Sequence, residues 1–257
     1  MKMPTLFIGH GNPMNALANN DYTNALADEG KRLLELQPDA VLVISAHWLT
    51  SGTYVTVTPK PETIHDFSGF PEELYRVEYP APGSPASALD TIDLVKMIDI
   101  KEDSNWGLDH GAWSVLKHMF PLANIPVYQL SIDYKKPPLY HYNLANELKA
   151  LREKGIIIIG SGNIVHNLLL IDMQNNTKPF GWAIEYDNFV KGFLVSKDYD
   201  SILDYNKFGN AYLAVPTPDH YYPMIYTLGA SDKDEELKFI YEEIQNASIS
   251  MRSFRIG

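Results

Sequence analysis

Ile156-Ile157-Ile158-Ile159-Gly160-Ser161-Gly162-Asn163 decides the fold class. Four consecutive β-branched residues leave no polar face, so the segment reads as a strand covered on both sides rather than one that is half exposed. Ala40-Val41-Leu42-Val43-Ile44 has the same character, and Thr5-Leu6-Phe7-Ile8 and Val127-Tyr128-Gln129-Leu130 are shorter versions of it. Helix-period segments lie between them. One covers about Tyr22 to Leu36, with Ala25, Leu26, Leu33, Leu34 and Leu36 opposed to Asp28, Glu29, Lys31 and Arg32. Others run from Ser84-Pro85 to about Met97, up to Phe120, from Pro138 to just before Gly155, and over about Trp182 to Val195. Buried strands alternating with helices predict an α/β fold, a single domain over residues 1–257, with a central, mostly parallel (mixed) β-sheet flanked by helices on both faces.

The remaining segments carry further expectations. Tyr54 to Thr58 alternates and predicts a more exposed strand. The Gly160–Asn163 turn is expected to lead into a helix carrying His166. In Pro216-Thr217-Pro218, Thr217 is expected to cap a helix whose first residue is Pro218. Leu237 to Ile244 and Ser248 to Ile256 predict antiparallel edge strands.

The 257 residues include no Cys and eight His, and 21 Lys+Arg against 32 Asp+Glu give a net charge of −11. Without Cys there is no disulfide framework, thiolate metal site or cysteine nucleophile, so any metal is held by His, Asp or Glu. An acidic chain with no basic cluster excludes nucleic acid and an anionic membrane surface as main partners, and the ligand is expected to be small. No apolar run at the start suits a signal peptide, and none elsewhere approaches the roughly 18 residues of a membrane span, so a cytoplasmic protein is expected.

In open α/β sheets ligands bind beyond the carboxyl ends of the strands. His10 directly follows Thr5–Ile8 after Gly9, His47 follows Ala40–Ile44 after Ser45-Ala46, and His166 follows Ile156–Ile159. Any one of them alone reads as a polar residue bonded to a backbone carbonyl. Three at equivalent strand ends read as a cluster of imidazoles suited to Zn(II) or Fe(II). His220, in Pro218-Asp219-His220-Tyr221, is either a fourth ligand kept neutral near a helix N-terminus or a capping-region residue beside Asp219. His110 is either a donor to a substrate oxygen or a residue that fixes its loop. His65 sits in a loop that approaches the site, and His118 and His141 lie on helices and read as structural. The Gly160–Asn163 turn resembles part of a dinucleotide fingerprint, but Val165 stands where the third Gly belongs, and the turn reads better as backbone, with Asn163, passing close to a ligand. There is no P-loop, HExxH, GxSxG or kinase signature.

Seven blocks in order carry a more specific signal: Gly9-His10-Gly11-Asn12-Pro13-Met14, Ser45-Ala46-His47-Trp48, Ile64-His65-Asp66-Phe67, Tyr79-Pro80-Ala81-Pro82-Gly83, Asp109-His110-Gly111, Ser161-Gly162-Asn163-Ile164-Val165-His166-Asn167 and Thr217-Pro218-Asp219-His220-Tyr221. Over nearly the whole chain they resemble the class III extradiol ring-cleavage dioxygenases, in the 4,5-DOPA extradiol dioxygenase branch with its YgiD-like bacterial members. The resemblance implies a mononuclear non-haem Fe(II) site, tolerant of Zn(II), that opens a catechol ring with O2 to a semialdehyde. It implies His10, His47 and His220 as ligands, the last standing where more distant relatives carry a carboxylate. It makes His166 the acid/base, able in some zinc-occupied members to reach the metal, and His110 a substrate contact. On the substrate side, Trp48, Phe67 and Tyr221 are expected as aromatic walls, with His65 and Asn163 beside them. Two other readings use the same residues: a zinc hydrolase with an activated water, and a non-enzymatic binding protein like the Memo proteins, which are similar in fold. Oligomeric state, metal identity, cleavage position and the physiological catechol stay open.

Overall fold

In the computed structural model, which describes residues 2–172 and 177–257, six strands form one sheet. They are β1 (Thr5–Gly9), β2 (Ala40–Ser45), β3 (Val127–Gln129), β4 (Ile156–Gly162), β5 (Leu237–Tyr241) and β6 (Ser253–Ile256). Their order is β3-β2-β4-β1-β6-β5; the first four are parallel, and β6 and β5 continue the sheet antiparallel. The principal helices are α1 (Asp21–Glu35), α2 (Pro85–Leu94), α3 (His110–Met119), α4 (Pro138–Leu148), α5 (Gly181–Ser196) and α6 (Tyr222–Gly229).

Side chains alternate along a strand, so each continuous apolar run feeds two cores. Phe7, Leu42, Ile44 and Ile158 face one core, closed by Leu144 of α4, Val190 of α5 and Ile225 of α6. Leu6, Ile8, Val43 and Ile159 face the other, closed by Leu26 and Leu33 of α1 and by Trp113 and Leu116 of α3. The predicted α/β layering is therefore present. Among the described residues no helix is long and apolar enough to cross a membrane.

Four local expectations are corrected. The strand near Tyr54 is Thr53–Thr56; it pairs in parallel with Ile100–Asp103 outside the main sheet, and Val55 is buried in the core rather than exposed. Of the two C-terminal strands only β5 is an edge; β6 is clamped between β1 and β5. His166 lies on no helix: its N–H donates to the Ala214 carbonyl at 2.8 Å and it forms a bridge with Ile249, so its backbone is committed to extended pairing. The Pro218 helix starts at Tyr222 instead, with Pro223 in its first turn, because residues 218–222 close a turn in which the Pro218 carbonyl accepts from both Tyr221 and Tyr222.

Candidate active site

β1, β4 and β2 lie side by side and parallel, with Gly9 opposite Gly162 and Ser45 opposite Ser161, so their following loops open at one edge. His10 leaves β1 with its N–H on the Gly162 carbonyl at 3.1 Å, and Ala46 N–H bonds Ser161 O at 3.0 Å, which turns the chain carrying His47 over the same strand end. His220 is drawn in by the Asn163 N–H, which donates to its carbonyl at 2.8 Å. A Cβ at Gly162 would lie 2.2 Å from that carbonyl, so a glycine is required for the approach. His110 opens α3, where Asp109 caps the helix, and Gly111 fits so closely that a Cβ there would lie 2.5 Å from Ser45 Oγ and 2.9 Å from His47 Cδ2.

One ring nitrogen from each of His10, His47 and His220 falls within a mutual 4.8 Å. Their hydrogen bonds fix which nitrogens those are. Ser161 Oγ uses its only proton to donate to Gly111 O at 2.5 Å, so it accepts from His10 Nδ1–H at 2.9 Å, leaving His10 Nε2 a bare lone pair. The Asp219 carboxylate accepts from His220 Nδ1–H, leaving His220 Nε2 likewise bare; that atom is buried and has no hydrogen-bond partner. His47 Nδ1 lies 3.5 Å from Asp66 Oδ2, and its Nε2 is 3.1 Å from His10 Nε2. The His47 Nε2 can share one proton with His10; a cation would satisfy all three nitrogens together. Partners on the far ring nitrogens are the usual support for histidine ligands.

Burial, reinforced by the neighbouring imidazoles, holds His10 and His220 well below the ordinary histidine value. Burial and His110 lower His47 too, against the opposing charge of Asp66. These three imidazoles are therefore held neutral, the form in which a histidine can bind a metal. His166 is stacked flat on His220, centroids 3.5 Å apart and planes 7° apart, and burial lowers it to about 4. It lies outside the mutual grouping of the three nitrogens and instead shares a potential ligand set with Asp219 and His220. His110 is held at two points by one carboxylate: its N–H donates to Asp66 Oδ1 at 2.8 Å and its Nδ1–H to Oδ2 at 2.9 Å, which leaves Nε2 as its remaining polar atom. Burial raises Asp66, but the hydrogen bonds and charge of His110 outweigh it and hold the carboxyl below its usual range.

The five histidines form one end of a cavity of about 300 Å³, which is also lined by Gly11, Asn12, Pro13, Asp66, Phe67, Phe70, Leu168, Ile171 and Ile249. That volume is at the small end for ligand pockets. Four residues expected on the substrate side do not line it. Trp48 is 3% exposed and stacked on Trp106 at 5.5 Å. Tyr221 is buried in the core with its hydroxyl donating to Ile202 O. His65 bonds the Val77 carbonyl at 3.0 Å and packs on Trp113, steadying the loop that bears Asp66 and Phe67. Asn163 ties strand ends together, its Nδ2 donating to Ser250 O at 2.7 Å. Trp48 and Tyr221 each follow a clustered histidine, and adjacent residues point apart. Sequence reading missed Asp66, Asp219 and Ser161 as partners of the imidazoles. Asp219 stood beside His220 as a signal, whereas Ser161 and Asp66 are 151 and 44 residues from the rings they hold.

The family model for the catalytic LigB subunit of aromatic ring-opening dioxygenase matches residues 4–255. A 4,5-DOPA dioxygenase extradiol of Escherichia coli (strain K12) is 44% identical over an alignment covering 100% of this chain and 95% of that protein. One from Beta vulgaris is 35% identical, covering 98% and 95%. A crystal structure of an uncharacterized Escherichia coli K12 protein superposes with a TM-score of 0.88 at 40% identity, covering 100% of both chains.

Proposed function

The chain belongs to the LigB family of aromatic ring-opening dioxygenases, and from that membership we propose that it opens a DOPA-type catechol beside its diol, using O2 and an Fe(II) ion held by His10, His47 and His220. The observation that carries this reading is the convergence of three imidazole nitrogens, one of them buried and partnerless, at the floor of an apolar cavity. Bound there, Fe(II) would acidify the catechol oxygens and bring O2 next to the ring. Zn(II) suits the same nitrogens and is expected to compete for them.

The chain's own residues supply the rest. His166 lines the cavity and its lowered basicity keeps it neutral near pH 7, so it is ready to accept a phenolic proton and return one later. His110, with Nδ1–H engaged by Asp66, keeps Nε2 for a hydrogen bond to a substrate oxygen, its ring orientation fixed by that carboxylate. Phe67 and Phe70 offer faces for a flat ring and keep water from the reacting edge. Family membership sets aside the zinc hydrolase and the non-enzymatic scaffold. Among the described residues no helix is long and apolar enough to cross a membrane, and a cytoplasmic setting is part of the proposal.

The test is anaerobic loading with Fe(II), followed by L-DOPA and air. O2 uptake with a yellow ring-opened semialdehyde is expected; no uptake with any of a panel of catechols contradicts the reading.

A further inference from the structure

One carboxylate at the cavity serves two histidines at once. The loop that carries it is tied down through its backbone: Ile64 N–H donates to Leu108 O and Leu108 N–H to Glu62 O, each at 2.7 Å, and the Trp113 indole N–H donates to Ile64 O at 2.8 Å. Two residues on, Asp66 Oδ1 accepts from the His110 backbone N–H at 2.8 Å and Oδ2 lies 2.9 Å from His110 Nδ1. The same Oδ2 is 3.5 Å from Nδ1 of the proposed ligand His47, and the two rings are in contact, their centroids 3.8 Å apart.

A backbone N–H can only donate and an ionised carboxylate can only accept, so the His110 ring carries its proton on Nδ1. In the neutral ring Nε2 is then a lone pair, and His110 lines the cavity. What the ring offers there is an acceptor, suited to a hydroxyl that still holds its proton, as a catechol supplies. Resting on the ring-opening activity proposed above, we infer that Asp66 is a positioning residue for that reaction: it fixes the His110 proton on Nδ1, so that Nε2 meets the substrate as a hydrogen-bond acceptor, and through the shared Oδ2 it seats that ring against His47. Exchanging the carboxylate for its amide inverts the arrangement. In Asp66→Asn the amide oxygen stays on the His110 N–H, the NH2 group takes the place of Oδ2 and donates to Nδ1, and the ring proton moves to Nε2, which turns the acceptor into a donor.

The test reads the ring proton directly, by ¹⁵N–¹H correlation of metal-free protein with the His110 ring in its neutral form. His110 is expected as the Nδ1–H tautomer in the unsubstituted protein and as Nε2–H in Asp66→Asn. The Fe(II)-loaded variant is expected to lose at least about 10²-fold in kcat with L-DOPA. It is expected to keep one equivalent of Zn(II), because Asp66 meets His47 on the ring nitrogen opposite the one that faces His10. His65→Ala frees the same loop from the Val77 carbonyl without touching the carboxylate, and is expected to leave the His110 tautomer unchanged. An Nε2–H ring in the unsubstituted protein, a tautomer indifferent to Asp66→Asn, or the same inversion in His65→Ala would overturn the inference, and metal loss from Asp66→Asn would place Asp66 among the ligands instead. The unsubstituted protein decides the matter even where a variant fails to fold. No O2 uptake by unsubstituted enzyme with any catechol would bring down the ring-opening reading and leave the tautomer result standing.

Discussion

The two ends of the sheet bury ionisable groups in opposite ways. Beyond the amino end of β4, Arg152 is fully buried and fully engaged, donating to Met3 O at 2.5 Å, to Ala230 O at 3.0 Å and to both oxygens of Glu235 at 2.6 and 2.8 Å. At the carboxyl end, one ring nitrogen each of His10, His47 and His220 converges with the others, His10 and His47 sharing one hydrogen bond while the buried His220 Nε2 has no partner. Satisfied burial of a charge holds a fold together; unsatisfied burial of lone pairs is kept where a ligand completes them. Substitutions at the two ends should therefore separate stability from chemistry.

The largest effect is expected at the ligand end. His10→Ala or His47→Ala should lose stoichiometric metal and with it activity, while thermal unfolding shows the fold intact; a full equivalent of metal retained would mean that other residues hold it. Next, His166→Ala should keep most of its metal, yet turnover should fall by at least about 10²-fold; near-normal turnover removes the acid/base role. Arg152→Leu belongs to the opposite end. It strips Glu235 of its guanidinium partner, leaving it only the Asp232 N–H and the more distant Lys2 ammonium, removes the donor to two carbonyls, and should cost about 3–5 kcal/mol of stability by denaturant unfolding, with metal stoichiometry unchanged in the folded fraction.

Acidification probes the same contrast. His166 falls from the free imidazole value of 6.5 to about 4 because burial disfavours its charged form. The unfolded chain therefore takes up the proton first, so stability from this group is complete above 6.5 and is lost as pH falls through that window to about 4. The metal-free protein should unfold at progressively lower temperature across this range, and bound Zn(II) should shift the loss to lower pH; a flat profile contradicts the burial of neutral imidazoles. The smallest effect is expected from Tyr221→Phe, which removes one buried hydrogen bond worth roughly 1 kcal/mol and leaves kcat/KM unaltered.

Much of this was legible from local pattern. Ile156–Ile159 and Ala40–Ile44 read as doubly buried strands because no polar residue interrupts them, and placing histidines just past their ends required only the rule that parallel strands share a carboxyl edge. What pattern could not give was the direction of a side chain leaving a loop, which set Trp48 and Tyr221 into packing rather than into the cavity. Nor could it show that His166 pairs through its backbone with Ile249 and Ala214, a pairing made by segments more than forty residues away. The ring-orienting partners Ser161 and Asp66 belong to the same class: their role exists only once strand ends meet.

The convergence of lone pairs is open to direct measurement by ¹⁵N–¹H correlation of the histidine rings in metal-free protein at neutral pH. His10 and His220 are expected as the Nδ1–H tautomer, held by Ser161 and Asp219, with their Nε2 resonances shifting when one equivalent of Zn(II) is added. Finding either ring as the Nε2–H tautomer, or Nε2 resonances indifferent to metal, would contradict the assignment of these nitrogens as the metal-binding set.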